Sequence, residues 1–188
     1  MKEKLKRGVI GFIILAALIV VPYTIANASA RYYVLYLLDV WSVDSGKHLD
    51  WNGNTNYMSN WNTGVQTWNN YKSGVIRKDG AFTINDVTIS DVNSLTANTV
   101  ALTNQTYRNP GKSISATVQF SKTEMDKLST VKKNIACSHE IGHLLGLDEN
   151  KNDGTNLIMF NIIAYNTSNN VLHNIDKFHY DYMYNNKY

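Results

Sequence analysis

Apolar and polar positions along this chain recur with two different periods, and the changes of period divide it into elements. Residues 9–21 form an uncharged apolar run, and residues 31–40 (RYYVLYLLDV) have the aromatic, apolar composition of a buried strand. Residues 41–56 are rich in Ser, Asp, Gly and Asn and read as loop. Met58, Trp61, Val65, Trp68 and Tyr71 then recur at helical spacing. They predict an amphipathic helix over residues 57–72 with its aromatic side chains in the core.

Between residues 80 and 120 the period shortens. Phe82, Ile84, Val87 and Ile89, then Val100 and Leu102, then Ile114, Ala116, Val118 and Phe120 predict short strands between Asn, Asp and Gly turns. Thr123 is placed to cap a short turn, and Thr130 starts a long helix through Leu145 that Gly146 ends. After a loop to Asn156 and the apolar residues 157–160, Val171, Leu172, Ile175, Phe178 and Tyr182 predict a last amphipathic helix. These elements make one α+β domain over residues 31–188.

The first thirty residues change the picture of the rest. Lys2, Lys4, Lys6 and Arg7 precede the apolar run, Pro22 follows it, and Ala28-Ser29-Ala30 supplies the small residues of a cleavage site. Residues 1–30 are therefore read as a signal peptide cleaved after about Ala30, and the protein as secreted and extracellular. The apolar run is shorter than the roughly 20 residues of a membrane-spanning helix, and an uncleaved anchor is the alternative. The signal holds four of the 18 Lys and Arg residues and one of the 15 Asp and Glu residues, which leaves 14 of each sign. The basic pI of 8.8 thus comes largely from the signal. With no basic cluster interleaved with aromatics, no nucleic-acid partner is expected, nor a membrane once the signal is gone. Cys137 is the only cysteine, so neither an intrachain disulfide nor a cysteine zinc cluster can form.

The chemistry is concentrated in His139-Glu140-Ile141-Gly142-His143. Four residues advance a helix by slightly more than one turn, so the two imidazoles share one face and can share one Zn²⁺. Glu140 follows the first ligand directly, in a position to take a proton from a water on the metal.

The longer run HEIGHLLGLDE, with Gly146 three residues after His143 and Glu149 three further on, resembles the extended zinc signature of the metzincin peptidases. The glycine turns the chain so that a third ligand can reach the ion. Leu157-Ile158-Met159-Phe160 looks like the family's Met-turn, and the resemblance is closest to the matrixin-like small bacterial peptidases. It implies a metzincin-like (zincin) catalytic domain: a twisted, mostly parallel sheet with a zinc-motif helix, a Met-turn and a C-terminal helix. Ser113 to Ser121 falls where the family's cleft-lining edge strand would be.

The resemblance implies a secreted zinc metalloendopeptidase, a monomer acting on a protein or peptide substrate. One catalytic Zn²⁺ is expected, held by His139, His143 and Glu149, with Glu140 as general base. Matrixins usually place a histidine where this chain has Glu149, so Asp148, His173, His179 and water stay open as the third donor. The alternative function is a zinc-binding but catalytically inactive module on the same fold. Residue type alone would allow Ca²⁺ at Asp79, Asp86 and Asp91, but their spacing matches no calcium loop and solvated turn aspartates are the simpler reading. Residues 161–170 would follow the Met-turn as a pocket wall, with Tyr165 among them read as a packing residue rather than a pocket or oxyanion contact, and Asp176 or Asp181 would brace that turn.

Overall fold

The computed structural model describes residues 35–80, 86–96, 98–151, 156–161, 166 and 168–188. The signal, Phe82, Ile84 and Tyr165 lie outside the described residues. In chain order the elements are β1 (Val40–Trp41), β2 (Leu49–Gly53), α1 (Met58–Asn69), β3 (Ile76–Lys78), β4 (Val87–Val92) and β5 (Ala101–Thr106). They continue with β6 (Gly111–Lys112), β7 (Ser115–Ser121), α2 (Lys122–Met125), α3 (Thr130–Leu144) and α4 (Asn174–Asn186). None of these helices is long and apolar enough to cross a membrane.

Five strands form one sheet in the order β3-β2-β4-β7-β5. The expectation of a metzincin-like, mostly parallel sheet is corrected here, because the sheet is mixed. The β2–β3, β2–β4 and β4–β7 pairs are parallel, whereas β5 runs antiparallel against β7 with Thr103 opposite Val118. The cause is the connection. Residues 107–114 are too few for a crossover, so β7 can only turn back along β5. The cleft edge is corrected as well. β7 lies inside the sheet and β5 is the edge strand.

Two further expectations fail at the N-terminal side. Over residues 35–40, the described part of the expected strand, the chain makes an antiparallel bridge at Leu37 with Leu147 and enters the short β1, paired with β6. This segment follows the end of α3, with Leu38 donating to the Gly146 carbonyl at 2.8 Å and Ser42 to the Leu144 carbonyl at 2.8 Å. Residues 41–56, read as loop, contain β2. Its Asp50 carboxylate is buried because Arg77 of neighbouring β3 donates to it twice, at 2.8 Å each.

The helices form where the apolar spacing put them. Helix α1 packs on α3 through Gly64, where an added Cβ would stand 3.0 Å from the Ser138 amide, and Trp68 donates its indole N–H to the Ser138 carbonyl at 2.8 Å. Trp61, Trp51 and Phe120 meet edge to face between α1 and the sheet. Ser121 rather than Thr123 caps α2, and Ser129 caps α3. Cys137 is a free thiol fully buried in the core, its pKa pushed up by that burial.

Candidate metal centre

Helix α3 carries the two histidines, and its C-terminal turn delivers the third donor. Gly146 takes φ of +81°, and the Leu147 amide reaches back to the Gly142 carbonyl at 3.0 Å while the Gly146 amide bonds the His143 carbonyl at 2.9 Å. This pair of bonds is the Schellman stop, which needs a left-handed residue after the helix. The chain reverses there and returns toward the histidines. One donor atom each from His139, His143 and Glu149 then lie within 4.8 Å of one another.

Both rings are held by the backbone. His139 Nδ1 sits 2.9 Å from the Ile158 carbonyl, and His143 Nδ1 sits 2.9 Å from the Leu147 carbonyl. A carbonyl only accepts, so each Nδ1 carries the proton and each Nε2 is left as a lone-pair donor. Burial first, and the neighbouring His143 second, pull the His139 pKa down to about 3, against the Ile158 hydrogen bond. Its ring is therefore neutral at pH 7, as ligation requires. Two imidazole nitrogens and a carboxylate are a donor set suited to zinc, so the residues present fit the ion.

Glu140 is buried beside this cluster, and Thr103 of β5 donates its hydroxyl to Oε2 at 2.6 Å. Burial pushes the Glu140 carboxyl up from its ordinary range, opposed by His143 and by the Thr103 hydrogen bond. Two residues along β5, Gln105 donates its side-chain amide to the His143 carbonyl at 2.7 Å. A cleft of about 610 Å³ runs between β5 and α3, lined by Thr103, Leu128, His139, Glu140, His143 and Glu149 among others.

The floor of the site is the turn at residues 157–160. Met159 is fully buried, and its sulfur fills the space that a side chain at residue 142 would take. Of the two aspartates proposed to brace this turn, Asp176 does so. Its carboxylate accepts from the amides of Ile158 at 3.1 Å, Met159 at 3.2 Å and His173 at 2.9 Å. Asp181 instead pairs with Lys72 at 2.6 Å and accepts from Tyr71 at 2.6 Å.

The competing third donors are engaged elsewhere. Asp148 accepts from the Glu149 amide at 2.7 Å, His173 caps α4, and His179 meets the ring of Tyr36 edge-on. Of the aspartates considered for calcium, Asp86 pairs with Lys112 at 2.9 Å, and Asp91 accepts from Thr55 and from the Asn56 amide. Thr103 and Gln105 were not singled out in the sequence. No local signal marks them, since their partners lie on another element.

No family model matches the sequence, and no curated protein matches it. Among solved structures, the chain is similar to one in the GM1-bound form of the ECX AB5 holotoxin, with a TM-score of 0.51 and 16% identity. The fold resembles that of an AB5 holotoxin chain. The match covers 74% of this chain and 80% of that one, so the matched chain is slightly the shorter. At this identity the likeness bears on the fold alone.

The comparisons correct the family expected from the sequence. Membership among the matrixin-like metzincins is withdrawn, since the likeness found is to a holotoxin chain and no family model or curated peptidase matches. The expectations that rested on it go with it: metalloendopeptidase (hydrolase, protease) activity, a protein or peptide substrate, and a monomer. What stands is narrower: a domain of this fold with a His-His-Glu cluster at the base of a cleft.

Proposed function

We propose that this is an exported zinc-binding domain in which Nε2 of His139, Nε2 of His143 and the carboxylate of Glu149 hold one ion at the base of the cleft. The observation that carries the reading is the pair of backbone carbonyls on the two Nδ1 atoms. They aim both free nitrogens at the place where Glu149 arrives. Such carbonyl partners are the usual support of ligating histidines, because they fix both tautomer and ring orientation.

Bound there, zinc would supply a Lewis-acidic charge and one coordination position open to an oxygen donor from the cleft. The protein's own groups do the rest. The Gly146 turn brings Glu149 back to the histidines, Asp176 fixes the backbone of residues 158–159 under His139, and Glu140 offers a buried carboxylate beside the site.

Metal analysis of the purified protein after exhaustive dialysis tests this. One zinc per chain is expected, retained in Asp148→Ala and lost in His143→Ala and Glu149→Ala. Wild-type protein without stoichiometric zinc, or His143→Ala with undiminished zinc, overturns the reading.

A further inference from the structure

Glu140 is a fourth potential ligand placed next to three others, so something must decide whether it joins them. We propose that Thr103 is a positioning residue. By anchoring the Glu140 carboxylate to β5 it keeps that group from becoming a fourth protein ligand, and so keeps the zinc position open to the cleft. The inference rests on the zinc reading above.

The geometry supports the division of labour. Thr103 Oγ1 lies 2.6 Å from Glu140 Oε2 and 3.3 Å from the Glu140 carbonyl. A hydroxyl donates one proton, and the shorter contact to the charged group takes it. Donor atoms of His139, His143 and Glu149 converge within 4.8 Å, and Glu140 is not among them. Its carboxylate is tied to the sheet while theirs face one another.

The strand that holds Thr103 is itself fixed to the same helix. Ala101, Thr103 and Gln105 alternate with the exposed Leu102, Asn104 and Thr106, so one face of β5 is turned to the protein. Gln105 grips the His143 carbonyl from that face. With β7 pairing along its other side, β5 holds the Thr103 hydroxyl in register with Glu140. A carboxylate released from such an anchor would be drawn to a dication held by its cleft neighbours His139, His143 and Glu149, since the attraction is strong in a partly buried site.

The test uses the full protein loaded with Co²⁺ in place of zinc, comparing wild type with Thr103→Val, Thr103→Ser and the double variant Thr103→Val/Glu140→Ala. Visible absorption reports the cobalt coordination, azide titration reports the open position, and circular dichroism checks folding. In Thr103→Val the cobalt spectrum is expected to change and azide affinity to fall about tenfold or more, the scale of supporting-residue effects at metal sites. Thr103→Ser restores both, and the double variant regains azide binding. A folded Thr103→Val with the wild-type spectrum and azide affinity overturns the positioning role alone. Failure of wild type to bind cobalt overturns the metal site and, with it, this inference. If Thr103→Val does not fold, Thr103→Ala, which also lacks the hydroxyl, carries the same comparison. Unchanged spectrum and azide affinity in that variant overturn the role equally.

Discussion

Met159 places its sulfur against the bare face of Gly142, where an added Cβ would stand 2.1 Å from Sδ and 3.3 Å from Trp68. The residue between the two histidine turns is thus small because the floor of the site occupies its side-chain space. Gly142→Ala is expected to destabilise the fold by about 1–3 kcal/mol, the usual cost of overpacking a filled core. Urea unfolding measures it. Met159→Ala added to Gly142→Ala should recover part of the loss, and strictly additive penalties would show that the contact is not the cause.

Asp176 supports the same floor through backbone amides. Replacing it with alanine strips the buried N–H groups of Ile158 and Met159 of their acceptor. At roughly 1–3 kcal/mol per unsatisfied buried group, a clear loss of stability is expected. Because the Ile158 carbonyl orients His139, zinc affinity should fall about 10–100-fold as well. A competitive chelator titration reads that second effect, and unchanged affinity would separate the turn from the metal site.

Gly146 is required twice over. At φ of +81° an alanine would be strained, and its Cβ would meet Met183 Cε at 2.4 Å. Gly146→Ala is expected to cost at least about 1 kcal/mol from the backbone alone. It should also displace Glu149, so zinc retention should drop together with the thermal midpoint. Full zinc retention would show that Glu149 reaches the site by another route.

The ion pair behind the site gives a dependence on pH. Burial alone would raise the Asp181 carboxyl, but the hydrogen bonds from Lys72 and Tyr71 outweigh it and hold the group below its ordinary value of 3.8. A carboxyl depressed in the folded state adds stability above its unfolded pKa and loses it as the pH falls through the folded value. Asp181→Asn should therefore lower the melting midpoint near pH 7, with the difference shrinking below pH 3.8. The Asp181 side chain is 39% exposed, so solvent screening limits the effect to about 1 kcal/mol at most, a few degrees. An equal difference at pH 7 and pH 2.5 would contradict the assignment.

Local signals made the part of the chain that carries the His-His-Glu cluster readable. The histidine spacing, Thr130 at the start of α3, and Gly146 at its end all lie within one run of about twenty residues. Helices α1 and α4 were legible from their apolar stripes. The strands were less so. β2 hid in a polar stretch because Asp50 tolerates burial only through Arg77 on β3, a partner far away in sequence. β3 is too short to show any period.

The sequence by itself determined that two imidazoles would share a helix face and that a glycine would end that helix, because both depend on backbone geometry within a few residues. The tertiary structure decided the rest. Edge strand β5 lies over α3 rather than β7, Thr103 meets Glu140, and Asp176 underpins Ile158 and Met159. These pairs join residues 37, 18 and 17 positions apart, and no period or propensity encodes a contact closed only when separate elements pack.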